Sequence, residues 1–106
     1  MKRGEVFWID FSPSRGGEIQ KIRPAIIVSS DVSNQSLNRV QVVPLSSKTN
    51  KVYPCEALVT INRKQSKAMA DQIMTVSKER LKNRLGVVAK EHMSAVDRAI
   101  CIQLDL

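Results

Sequence analysis

The stretch Gly16-Gly17-Glu18-Ile19-Gln20-Lys21-Ile22-Arg23-Pro24-Ala25-Ile26-Ile27-Val28-Ser29-Ser30 carries a polar, glycine-bearing loop straight into an apolar, β-branched segment. Pro24 fixes its own φ and pushes Arg23 out of the helical region toward an extended conformation. Proline is tolerated as the first residue of a strand, so a strand begins about there. The run Ala25-Ile26-Ile27-Val28 shows no alternation, which predicts a strand buried on both faces. Arg23 is thereby held at a strand mouth beside a loop that carries the carboxylate of Glu18. Two readings fit this stretch: a solvated arginine at a strand entrance, or a ligand for an anion.

Outward from this stretch, the chain reads as a succession of short strands. Glu5 to Phe11 is rich in aromatic and β-branched residues and makes a first strand. Ser12 to Ile22 forms a long loop, of the kind that often carries function, and Arg23 to Ser29 is the second strand. Asp31 to Asn38 is a polar turn that can hold one helical turn. Arg39 to Leu45 is a third strand, with Pro44 near its end suggesting an edge or a bulge. A polar loop, Ser46 to Lys51, precedes a fourth strand from Cys55 to Ile61. A basic turn over Asn62 to Ser66 leads into a fifth, Lys67 to Val76. A helical turn capped by Ser77 runs to Leu81, and Leu85 to Ala89 makes a short last strand. Met93, Val96, Ile100 and Leu104 recur at spacings of three and four, the inward face of an amphipathic helix from about Lys90 to Gln103. Five or six short strands and one terminal helix define a mainly β protein, a small and strongly bent sheet or barrel.

The totals narrow the function. The 106 residues suit one domain spanning 1–106. A formal charge of +7 and a pI near 9.9 favour an acidic partner, nucleic acid first. Between Lys21 and Arg84 twelve Lys or Arg face four Asp or Glu, so the basic residues cluster where the candidate site lies. Aromatics are few (Phe7, Trp8, Phe11 and Tyr53), too few for a sheet of stacking aromatics of the RRM type. Cys55 and Cys101 have no CxxC spacing and His92 is the single histidine, so no zinc site and no metal is expected. Both cysteines fall on expected core elements, where burial as small hydrophobes is the favoured reading, and His92 reads as structural or solvated. No apolar run reaches the length of a signal peptide or a membrane span, so a cytoplasmic protein with no membrane partner is expected.

No Walker loop, GxGxxG, HExxH or nucleophile elbow is present. The remaining polar positions of interest are few. Arg23 offers a planar fork of donors that stays charged, suited to a phosphate or its transition state. Ser46 ends the third strand, where its hydroxyl can bond a phosphate oxygen or serve as a turn serine. Glu18 can act as a base, orient Arg23, or sit exposed. Asp71, with Gln72, is out of place inside a strand of Ala68, Met69, Ala70, Ile73 and Met74, since aspartate is depleted in strands.

Several separated pieces together resemble the MazF/PemK/Kid family of toxin endoribonucleases. Lys2-Arg3-Gly4-Glu5-Val6-Phe7-Trp8-Ile9-Asp10-Phe11 is similar to its first strand, and Gly17-Glu18 followed by Arg23-Pro24-Ala25-Ile26-Ile27-Val28-Ser29 to its loop-to-strand signature. Val43-Pro44-Leu45-Ser46-Ser47 resembles the third-strand ending, and Ala70-Asp71-Gln72-Ile73 with Thr75-Val76 the fifth strand. The resemblance implies an SH3-like small barrel, a homodimer, and cleavage of single-stranded RNA at short sequences without cofactors. It also implies a cognate antitoxin whose acidic, disordered segment binds the toxin. It places catalysis on Arg23, Ser46 and Glu18, and RNA contacts on Gln20, Lys21, Ser47, Lys48, Asp71 and Gln72. Gly17 and Met69 stand where some relatives carry a histidine and an arginine, so a histidine base is lacking at that loop position. Gyrase-poisoning toxins of the CcdB type share the fold, and a non-catalytic RNA-binding barrel is a further alternative.

Overall fold

The computed structural model describes residues 1–12, 16 and 21–106. Among the described residues seven strands, β1 (Glu5–Asp10), β2 (Ile22–Ile27), β3 (Arg39–Ser46), β4 (Glu56–Ile61), β5 (Lys64–Met69), β6 (Met74–Ser77) and β7 (Leu81–Val87), form one sheet in the order β4-β5-β3-β2-β1-β7, with β6 paired to β3. Every pairing is antiparallel. A short helix α1 (Asp31–Ser36) links β2 to β3, and α2 (Lys90–Leu104) closes the described chain. The expectation of a mainly β, strongly bent small barrel with a C-terminal helix holds.

Two irregularities curl the sheet. The β1–β7 ladder shifts register on both sides of Phe7, which bends and twists a strand pair locally. β3 pairs with β6 along Arg39–Val42 and with β5 at Leu45 and Ser46. The two stretches differ in register by three residues, the length of the 3₁₀ turn Ala70–Gln72 between β5 and β6. The fifth strand expected over Lys67–Val76 is therefore two strands with that turn between them, because β3 changes partner there. Pro44 lies in the same changeover, fully buried in a central strand rather than at an edge. The turn expected over Asn62–Ser66 shrinks to Asn62 and Arg63, at φ of 51° and 67°. Left-handed backbone at both central residues is what a tight two-residue hairpin needs to match strand twist, so β5 starts earlier than periodicity indicated. The last strand likewise begins at Leu81, directly after the Ser77-capped turn Lys78–Arg80, in which Ser77 Oγ accepts the Glu79 N–H at 3.3 Å.

β2 is buried on both faces, as its unbroken apolar run indicated. Ile26 and Val28 join Val6, Val43, Leu45, Val59 and Val96 in one cluster, while Ala25 and Ile27 join Ile9, Val40, Val42 and Val76 in another. Each fully buried branched side chain contributes about 1.5–3 kcal/mol of transfer free energy. α2 covers the first cluster through Met93, Val96 and Ala99. Its final turn overhangs the sheet: Leu104, expected inward, is 49% exposed, and Cys101 is exposed. Cys55 is half-buried just before β4, so neither cysteine is the core hydrophobe that its position indicated. His92 is structural, its Nδ1 accepting the Thr60 N–H at 3.3 Å.

Glu5 ties β1 to β7 through a 2.6 Å hydrogen bond from Arg84 Nε. Burial pushes its carboxyl up, but the Arg84 and Lys2 hydrogen bonds, with the charges of Arg84 and the N-terminus, bring it net below the usual carboxylate range. A depressed folded-state pKa gives stability that is full above the unfolded value of about 4.3 and is lost as pH falls through the folded one. Thermal unfolding should thus show a smaller drop in Tm between about pH 5 and pH 3 for Glu5→Gln than for the wild type. An equal drop would mean that this carboxylate plays no part in acid sensitivity.

Candidate active site

Arg23 and Ser46 come from different strands, and register brings them together. The β2–β3 ladder ends at Ala25 opposite Pro44, and Arg23 and Ser46 each lie two residues past that last pair. The next residue along β2 is Pro24, which has no N–H to extend the ladder. Beyond that point the strand ends part around a cleft of about 430 Å³ lined by Trp8, Ile22, Arg23, Pro24, Leu45, Ser46, Ser47, Lys48 and Lys64. Arg23 is half-buried in it, which lowers the dielectric around a charge that stays ionised. Ile9, fully buried, pairs with Arg23 from the β1 side and fixes its backbone.

Ser46 is 9% exposed, and its Oγ accepts the Lys48 N–H at 3.2 Å. That bond occupies a lone pair and leaves the hydroxyl proton to donate into the cleft. Arg23, Lys48 and Lys64 are cationic, and no carboxylate is among the described residues that line the cleft. A concave site with three cations, a hydroxyl donor and one indole face is suited to a phosphate attached to an aromatic base. Among the described residues no three His, Cys, Asp or Glu side chains are grouped to hold a metal ion.

The other expected site residues divide into groups. Ser47 and Lys48 line the cleft with Arg23 and Ser46. Lys21 is exposed at the entry to β2 at φ 63°, its carbonyl accepting the Phe11 N–H at 3.0 Å, and it does not line the cleft. Asp71 and Gln72 lie on the 3₁₀ turn between β5 and β6, beside α2 and away from the cleft lining. That turn explains how an aspartate occurs in an otherwise apolar segment: Asp71 is outside the strand and exposed. Glu18 and Gln20 lie outside the described residues, as does Gly17; Met69 is the half-buried last residue of β5.

Two cleft residues were missed by sequence reading. Trp8 lies in the first strand, as its propensity indicates, and there it pairs with Pro24 and is 37% exposed at the cleft. Lys64 was one cation among several in an expected turn; the tight Asn62–Arg63 hairpin makes it the first residue of β5. The hairpin tip is held by Asn62 Nδ2 donating to Leu85 O at 2.9 Å. Gly86 permits this docking, since a Cβ there would meet Ile61 Cγ2 at 3.2 Å and Asn62 Oδ1 at 3.3 Å.

Fold and cleft together define a small, curled antiparallel β protein with a cationic, hydroxyl-bearing groove where two strands diverge. The family of PemK-like, MazF-like toxins of type II toxin-antitoxin systems matches residues 2–104, and the chain belongs to that family. It is 36% identical to the endoribonuclease MazF9 of Mycobacterium tuberculosis over 115 aligned residues, which cover 100% of this chain and 98% of that one. Among solved structures it is similar to an endoribonuclease in complex with its cognate antitoxin from a mycobacterial species, at 25% identity and a TM-score of 0.85 over 100% of this chain and 96% of that one. MazF from Deinococcus radiodurans shares the fold, with a TM-score of 0.88 at 21% identity over 100% and 97% of the two chains.

Proposed function

We propose that the Arg23–Ser46 cleft cleaves single-stranded RNA, and that the chain, as one toxin domain, arrests translation by doing so. The observation that carries this is that Arg23 and Ser46, each two residues past the last β2–β3 pair, line one groove whose other charged lining residues are Lys48 and Lys64. In this reading a ribose 2′-OH attacks the adjacent phosphorus. Arg23 neutralises charge building on the non-bridging oxygens, and Ser46 donates its hydroxyl to one of them. Glu18, in the sequence five residues before Arg23, is the group assigned to take the 2′-OH proton. Ser47, Lys48, Gln20 and Lys21 track the RNA backbone, and Trp8 offers a ring to a base. Among the described residues no helix is long and apolar enough to cross a membrane, and a toxin that cuts mRNA acts in the cytoplasm.

A cognate antitoxin with an acidic segment suits the same cationic groove, and competition for it would silence the toxin. A homodimer is supported by the apolar side chains left exposed at the end of α2, Ile102, Leu104 and Leu106. Asp71 and Gln72, remote from the cleft lining in one chain, would reach RNA on the extended surface of such a dimer. Incubating the pure protein with cellular RNA and sequencing the new ends tests the function, with a short shared sequence at the cut sites as the expected result. A folded protein that cuts no RNA yet arrests DNA gyrase would overturn it.

Affinity should also respond to salt. About four phosphate contacts on a single strand release counterions such that log affinity falls against log salt with a slope of roughly −3. Titration with RNA carrying a 2′-deoxyribose at the scissile position measures this without turnover. A flat response would assign the basic groove to another partner.

A further inference from the structure

Tyr53 stands apart from the core and from the cleft lining, 50% exposed, between β3 and β4. Its backbone is pinned: its N–H donates to Glu56 Oε1 at 2.9 Å and its carbonyl accepts the Glu56 N–H at 2.8 Å. Lys67 Nζ bonds Lys51 O at 3.1 Å and pairs with the same Glu56 oxygen at 3.2 Å. It lies 6.0 Å from the Tyr53 ring centroid, and Lys51 Nζ lies 5.2 Å from it. The nearly buried Lys67–Glu56 pair makes this a built arrangement rather than a loose surface contact.

The arrangement is coupled to the cleft by register. Lys67 is the partner of Ser46 across β3 and β5, so the two side chains emerge on one face of the sheet. One strand spacing and one lysine side chain therefore lead from the candidate phosphate-binding hydroxyl to a half-exposed aromatic ring on a pinned backbone, with the Lys51 and Lys67 ammonium groups over it. Such a ring beside a cationic track is what a nucleobase stacks on, whatever its identity.

We propose that Tyr53 is a stacking platform for a nucleobase beyond the scissile phosphate, with Lys51 attracting the neighbouring phosphate. This rests on the reading of the cleft as an RNA-cleaving site and adds a second base-binding position to it. The ring, rather than the phenol, does the work, because stacking uses the π-face.

The test uses the RNA sequence mapped from the protein's own cut sites, made uncleavable by one 2′-deoxyribose and prepared as a series with a single abasic position in each member. Tyr53→Ala should lower affinity for the intact oligonucleotide about 5- to 100-fold, and Tyr53→Phe should leave it unchanged. One abasic position outside the scissile pair should weaken wild-type binding by a similar factor and leave Tyr53→Ala binding unchanged, the mark of direct coupling. A wild type that cuts RNA, with a folded Tyr53→Ala variant that binds equally well, would overturn this proposal alone. A wild type that neither cuts nor binds RNA would overturn the reading of the cleft and this proposal with it. Unchanged RNA binding with loss of binding to a glutamate-rich peptide would assign the ring to a protein partner and overturn it too.

Discussion

Replacing the single ribose on the 5′ side of the scissile phosphate by 2′-deoxyribose should abolish cleavage at that bond. The described residues lack a metal-binding cluster. They bring no three metal-ligating side chains together, and a water nucleophile activated by two metals needs such a cluster. RNA carries its own nucleophile adjacent to the phosphorus, and intramolecular attack gains from proximity before the protein contributes anything. The protein then has to orient, neutralise charge and move protons, tasks suited to an arginine, a serine hydroxyl and a carboxylate. Cleavage should persist in excess EDTA and leave a 2′,3′-cyclic phosphate and a 5′-OH, with DNA untouched. Resolving the end groups of a defined oligonucleotide by mass spectrometry checks all of this, and cutting of the deoxy substrate at the same bond would sink the mechanism.

Arg23→Ala should lower the cleavage rate about 10²-fold or more, the usual loss when one preorganised charge-stabilising donor is removed. The fold should survive, because Arg23 is only half-buried and lies beyond the end of the β2–β3 ladder. Ser46→Ala should cost less: its hydroxyl is one neutral donor, and the Lys48 N–H that it accepts in the folded chain belongs to an exposed residue that water can satisfy. Lys at position 23 should rescue poorly, since an ammonium cannot present two parallel donors to a phosphate. Single-turnover rates, with circular dichroism to verify folding, separate these cases. A folded Arg23→Ala protein with undiminished activity would remove Arg23 from the chemistry.

Misplaced features share a cause. Ala70-Asp71-Gln72 was read into one long strand because its neighbours are apolar, and apolar content does not report that β3 exchanges β5 for β6 with a three-residue slip in register. Pro44 suggests an edge or a bulge because proline interrupts ladders; it sits in a central strand, not at an edge, and within the changeover where the register slips. The exposure of Cys101 and Leu104 at the end of α2 depends on what packs against the last turn, which helical periodicity does not report. Trp8 shows the same limit from the other direction: its residue type fits a strand, while its role depends on lying opposite Pro24, where the cleft opens.

Local chemistry in the chain was enough to determine the mainly β class, the doubly buried strand after Pro24, the terminal helix and an arginine held at a strand mouth. These follow from φ restriction, side-chain alternation and apolar periodicity, which act over a few residues. The composition of the cleft was decided only in three dimensions. Arg23 and Ser46, far apart in the chain, come to line one cleft because β2 pairs with β3 as far as Ala25 and Pro44. Lys64 enters because a two-residue hairpin, docked on β7 against Gly86, brings the start of β5 to the same place. Register is set by the simultaneous burial of both sheet faces and by where ladders stop, and no short segment of the sequence contains both partners of such a choice.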